Sequence, residues 1–289
     1  MIKIGEGETA EVYRIEPGKV VKLFRPEFYD EASFRMEYET ARQVGEQTGL
    51  APKVLATMRV DGRHGYVMEE IEGRLFQDEI DRNPDHLISY AQLLGEAQRR
   101  LHRTPINGGL AQLPRVKEDP SFVRFQGTFP ADVASWLKEL LASLPNDTAL
   151  LHGDFMPYNM LMSEDQLRVL DWAEPAIGHP MLGVARTLGF VVDPTDYPDS
   201  PYTQDAARFA EHYLAAYAGD ESLDADVLHA CLILNASFEY RWAVVSRQTD
   251  AHSKRLRDFI LSNFSDYGSD MLVNLSVGTE SNGSDSIQS

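Results

Sequence analysis

The sequence predicts an α+β chain, rich in strands over its first quarter and mainly helical after that. Three observations carry this expectation. Short runs with strand-like patterning, at 11–15, 20–24 and 66–68, cluster before residue 72. Longer stretches with apolar residues near the helical period, such as Leu87–His102, dominate after it. Among those helical stretches lies one more strand pair, 160–162 and 167–170, around the polar turn Ser163-Glu164-Asp165-Gln166.

In chain order, 11–15 alternates polar and apolar residues, Glu16-Pro17-Gly18-Lys19 makes a turn, and 20–24 is the next strand. A helix is expected over 32–45, where Glu37, Ala41 and Val44 share one stripe. A strand opens near 54, and 57–60 and 66–68 form a hairpin around 61–65. Beyond residue 72, helices are expected at 87–102, 132–144, 184–192, 203–217, 225–246 and 253–264. The segment 107–127 is rich in turn formers and has the composition of a mobile loop. His102, beside basic residues at the end of its helix, is expected to act as a last-turn cap. The last 14 residues, 276–289, are small and polar and are expected to be disordered.

At 289 residues the chain can bury a sizeable core, and 43% hydrophobic with 25% charged residues is ordinary for a soluble protein. The single cysteine, Cys231, lies in an apolar run, excludes an intrachain disulfide and fits a reducing compartment. The first ten residues, MIKIGEGETA, lack the apolar core of a signal peptide, and no run reaches the roughly 20 apolar residues of a membrane span. A cytoplasmic protein with no membrane partner is the expectation. A net charge of −18 argues against nucleic acid as a partner. The excess is uneven: residues 1–71 carry 10 basic and 13 acidic side chains, net −3, which leaves −15 for 72–289. Such a surface either steers a cationic ligand or simply aids solubility.

The densest chemistry lies at 150–172, LLHGDFMPYNMLMSEDQLRVLDW. With a four-residue loop the hairpin sets Met162 against Leu167 and Tyr158 against Asp171, with Asn159 beside Asp171 at its open end. An amide oxygen and a carboxylate so placed make a hard-oxygen site suited to Mg²⁺ on phosphates. Asp154, five residues earlier, is within reach of a substrate hydroxyl. In the first quarter, Gly5, Gly7 and Thr9 belong to a glycine loop followed by a strand. A dinucleotide fingerprint would need a helix there, and no Gly-Lys-Ser/Thr of a P-loop follows. Lys22 sits between apolar neighbours, so its ammonium needs a partner. Glu37 is assigned that part, with Glu39 as its rival.

His152-Gly153-Asp154, four residues, Asn159, and then Asp171 resembles the catalytic core of the aminoglycoside phosphotransferase and choline kinase families, relatives of the protein kinases. The resemblance covers roughly residues 1–260 and implies a two-lobed protein kinase-like fold. A small β-rich lobe would span 1–71 and a larger helical lobe 72–275. It makes Asp154 the catalytic base and Asn159 and Asp171 the metal holders. It sets Lys22, paired with Glu37, on the α- and β-phosphates, with the loop of Gly5, Gly7 and Thr9 above them. Glu69 (carbonyl) and Ile71 (N–H) would meet adenine. ATP and Mg²⁺ are the implied cofactors, and the partner is a small hydroxyl-bearing acceptor, cationic or sugar-like.

Asp193, Asp196, Glu239 and Trp242 are candidate acceptor contacts by the same resemblance, although the aspartates equally suit caps and turns. The segment after Asp171 is short, Trp172-Ala173 replaces Phe-Gly, and no Ala-Pro-Glu follows, which favours a small molecule over a peptide. Gly183 stands where the family's Asp-x-Ala step has Asp, so the resemblance gives no support for loop order there. A non-catalytic nucleotide-binding regulator and a protein kinase-like enzyme are the competing functions.

Overall fold

The computed structural model describes residues 1–7, 9–28, 30–145, 147–164, 166–193, 197–246 and 250–277. Glu8 of the glycine loop, the candidate contact Asp196 and the tail from 278 onward lie outside the described residues.

Five strands, β1 (Ile2–Glu6), β2 (Ala10–Glu16), β3 (Lys19–Phe24), β4 (Val54–Val60) and β5 (Arg63–Glu69), form one antiparallel sheet in the order β1-β2-β3-β5-β4. Strand alternation splits β3 between two faces. Val21 and Leu23 pack with Val67 on one face, while Phe24 meets Phe34 edge-on at 5.7 Å on the other. Phe34 belongs to α1 (Glu31–Thr48), which carries Glu37 and Val44 fully buried. Asp30 caps α1 by accepting from the Ser33 N–H at 2.8 Å, and Gly49 ends it in the left-handed region at φ 65°. The β4–β5 turn is tighter than expected. Only Asp61 (φ 50°) and Gly62 (φ 81°) leave the strands, since two residues with positive φ suffice for a hairpin matched to strand twist.

The rest of the chain runs β6 (Arg74–Leu75), α2 (Phe76–Arg82), α3 (Leu87–His102), α4 (Pro120–Val123), α5 (Ala131–Ser143), β7 (Ala149–Leu151), β8 (Met160–Ser163), β9 (Gln166–Val169), β10 (Ala176–Gly178), α6 (Pro180–Val192), α7 (Pro201–Gln204), α8 (Ala206–Ala218), α9 (Ala225–Val245) and α10 (Ala251–Val277). β6, β8 and β9 make a three-stranded sheet, and β7 pairs with β10. No helix among the described residues is long and apolar enough to cross a membrane.

Further expectations change. The segment 107–127 is packed rather than loose, because Leu110, Val116 and Phe125 enter the core and Val116 N–H bonds to the Ile177 carbonyl at 2.9 Å. The helix expected over 203–217 breaks at Asp205 into α7 and α8, where φ −125° and ψ 51° leave the helical region. α2 escaped the periodicity reading because seven residues are too few to establish a stripe. His102 is not a charged cap: it is 9% exposed and its Nδ1 meets the Tyr217 hydroxyl at 2.8 Å. Burial, with the neighbouring His179 adding to it, pushes its pKa down to about 3 and keeps the ring neutral. Cys231 is fully buried, and burial alone pushes its thiol up to about 12.

Candidate active site

β3 and α1 deliver the first half of the site. Lys22 points to the α1 face because it alternates with Val21 and Leu23, and its Nζ lies 2.6 Å from Glu37 Oε1 and 2.9 Å from Asp171 Oδ1. The Tyr66 hydroxyl on β5 also donates to Glu37 Oε1, at 3.1 Å, and the Phe24 ring lies 5.2 Å below the ammonium. Burial works against the Lys22 charge, but the Glu37 and Asp171 carboxylates outweigh it, so its pKa is raised. The rival Glu39 is on the exposed side of α1, paired with Arg42 at 2.9 Å.

The second half hangs on the β8–β9 hairpin. The register sets Met162 against Leu167, as expected, but Ser163 pairs with Gln166, so the loop is two residues shorter. The ladder stops at Met160–Val169, because Pro157–Asn159 form a 3-10 turn. Tyr158 therefore does not face Asp171. Its hydroxyl donates instead to Asp154, at 2.9 Å from Oδ1 and 2.8 Å from Oδ2. Asn159 stays beside the strand end through the Leu170 N–H, which donates to its carbonyl at 2.8 Å. Its Nδ2 donates to Asp154 Oδ2 at 2.8 Å. Asp171 adopts φ 58°, uncommon for a residue with a Cβ, and leaves a carboxylate side chain 45% exposed. Burial raises its pKa, but the Lys22 ammonium prevails and holds it below the usual range.

His152 ties the two ends of this unit together. Its Nδ1 accepts from the Asp154 N–H at 3.2 Å, and its Nε2 meets the Leu170 carbonyl at 2.8 Å, which assigns the proton to Nε2. Burial lowers its pKa, so the ring acts as a neutral rivet, with Trp172 packed edge-on at 4.5 Å. Gly153 has φ +88°, and a Cβ there would collide with the Glu174 carbonyl, so this position requires glycine.

The remaining candidates make contacts of their own in other elements. Gly7 N–H bonds to the Ala10 carbonyl at 2.9 Å across the β1–β2 turn, and the Thr9 carbonyl accepts from Arg25 N–H at 2.8 Å. Gly5 sits at an irregularity in the β1–β2 register. Glu69 ends β5 with its N–H on the Lys53 carbonyl, and Ile71 follows outside the strand. Asp193 and Glu239 are held by basic side chains. Arg186 Nη1 lies 2.8 Å from Glu239 Oε1, His252 sits between Glu239 and Asp193, and Arg255 reaches Asp193 at 3.1 Å. Trp242 is 64% exposed.

Sequence reasoning missed Arg186, whose guanidinium also lies 3.7 Å from Asp154 Oδ1, because only tertiary packing brings α6 to the loop. Gly183, one turn earlier, is where His102 crowds α6. A Cβ at 183 would lie 2.7 Å from His102 Nε2, so the imidazole takes up space that a longer side chain would need.

The model of the phosphotransferase enzyme family matches residues 1–225. The acyl-CoA dehydrogenase family member 11 of Gallus gallus is 29% identical over 156 residues, 47% of this chain but 20% of that protein. The chain thus matches about a fifth of the length of that curated relative. Among solved structures, the amicoumacin kinase hAmiN in complex with AMP-PNP, Ca²⁺ and Ami superposes with a TM-score of 0.64 at 15% identity, covering 89% of this chain and 86% of that one. The choline kinase LicA of Streptococcus pneumoniae gives 0.59 at 14% identity, covering 90% and 92%. At such identities the likeness is one of fold, and that fold is the protein kinase-like one, with a small β-rich lobe and a larger helical lobe. Together with the match over most of its length, this establishes that the chain belongs to the phosphotransferase enzyme family.

Proposed function

We propose that the chain transfers the γ-phosphoryl group of MgATP to a hydroxyl of a small molecule. The observation that carries this reading is one connected set of contacts, Glu37–Lys22–Asp171 on one side and Asn159–Asp154 on the other, joined by the Leu170–Asn159 backbone bond. Asp154 would accept the proton of the acceptor hydroxyl, while Glu37 holds the Lys22 ammonium toward the phosphates. Asn159 and Asp171 fit Mg²⁺: the first turns its Nδ2 to Asp154, directing its amide oxygen elsewhere, and the second keeps a half-exposed carboxylate. When bound, MgATP supplies the group transferred and a cation to spread its charge. The loop of Gly5, Gly7 and Thr9 would cover the nucleotide phosphates, and the backbone of Glu69 and Ile71 would meet the base near a lobe boundary at 71–73. Glu239, Asp193 and Trp242 would frame the acceptor side, the first two through their ion pairs with Arg186, His252 and Arg255. A reducing, cytoplasmic setting suits the free, buried Cys231.

The test is a coupled assay of ADP release with amino alcohols, aminoglycosides, sugars and hydroxy acids. Asp154→Asn is expected to slow acceptor-dependent turnover by about 10²- to 10⁴-fold while MgATP affinity is kept. Full activity in that variant on an accepted substrate would refute the base assignment.

A further inference from the structure

Both carboxylate oxygens of Asp154 are already engaged by the Tyr158 hydroxyl, at 2.9 and 2.8 Å. Asn159 Nδ2 takes Oδ2 as well, at 2.8 Å, and Arg186 stands 3.7 Å from Oδ1. The Tyr158 ring is not free to drift. It stacks on Tyr197 at 6.1 Å with planes 17° apart, and meets Phe190 edge-on at 5.4 Å. Yet the Asp154 side chain is 31% exposed, so water reaches the group that would activate a hydroxyl. A kinase of small molecules faces this hazard directly, because water is a hydroxyl donor at far higher concentration than any acceptor.

We propose that Tyr158 is a specificity-determining residue that discriminates against water: its hydroxyl stands in for that of the acceptor on Asp154 until an acceptor displaces it, and so suppresses idle hydrolysis of MgATP. This rests on the phosphotransferase assignment above. A single water that takes the tyrosine's place gains one hydrogen bond at Asp154 and breaks the charge-assisted bond from the phenol. A true acceptor brings further contacts that repay the exchange. The phenol is itself no substrate in this account. It donates its proton to both oxygens of the base and keeps it, and no bond to phosphorus forms.

Tyr158→Phe keeps the ring and its packing while removing the hydroxyl. ADP release is measured with MgATP and no acceptor, alongside thermal shifts with MgATP and intact mass after incubation. The variant is expected to hydrolyse MgATP about tenfold faster than the unmodified chain or more, the range lost with one charge-assisted hydrogen bond. The gain should vanish in Asp154→Asn/Tyr158→Phe. A MgATP-induced shift with equal or slower hydrolysis in Tyr158→Phe overturns the proposal alone. A phosphate on Tyr158 in the unmodified chain also overturns it, by making the residue an acceptor. Absence of any MgATP shift in the unmodified chain overturns the phosphotransferase assignment as well.

Discussion

His102 offers a titration experiment whose size follows from its burial. In the folded chain its pKa is pushed down to about 3, whereas an unfolded chain binds the proton near the ordinary value of about 6.5. The folded pKa is the depressed one, so the native state is not penalised above pH 6.5 and loses stability as pH falls toward 3. Between those limits the unfolded state holds one more proton, which gives about 1.4 kcal/mol per pH unit. From pH 7 to pH 5 the loss from this one group is about 2 kcal/mol. His102→Asn keeps an acceptor for the Tyr217 hydroxyl, which lies 2.8 Å from Nδ1, and removes the titration. Urea unfolding followed by tryptophan fluorescence, run at both pH values on both proteins, isolates the effect, since carboxylates and the other histidines are common to the two. The unmodified protein should lose about 2 kcal/mol more than the variant over that interval. Equal losses would show that the imidazole takes up its proton in the folded state.

Glu37→Ala should destabilise the chain by about 3 kcal/mol, since it leaves the buried Lys22 ammonium with Asp171 alone, and should weaken MgATP-dependent turnover. Glu39→Ala removes only an exposed pair with Arg42 and should stay within about 0.5 kcal/mol by the same unfolding assay, so similar losses at both positions would reverse the assignment. Gly183→Asp should destabilise strongly, because its Cβ would lie 2.7 Å from His102 Nε2. Adding His102→Ala should relieve about 1 kcal/mol or more of that loss, measured as a double-mutant cycle, and strict additivity would show that the ring is not the obstacle.

The spacing His152-Gly153-Asp154, Asn159, Asp171 was legible because it lies within one local unit, a turn followed by a short hairpin. The choice of Glu37 over Glu39 was legible too, since the helical stripe of 37, 41 and 44 points one way and 39 another. The placement of Tyr158 was not. Extending the ladder past Met160 presumes strand geometry, whereas Pro157 fixes a φ that suits the 3-10 turn and rotates the phenol onto Asp154. His102 was misjudged for a related reason, as a histidine beside arginines at a helix end looks cationic until Tyr217 and Gly183 bury it.

Taken alone, the amino-acid order determined what short-range rules can settle: strand and helix periods, the glycine loop, the spacing of Asp154, Asn159 and Asp171, and the inward glutamate. Folding decided which distant groups meet. Arg186 reaching Asp154, the ion pairs that occupy Glu239 and Asp193, and the ring of His102 crowding Gly183 all join elements from far apart in the chain. Such contacts depend on packing between helices, and local periodicity carries no information about them.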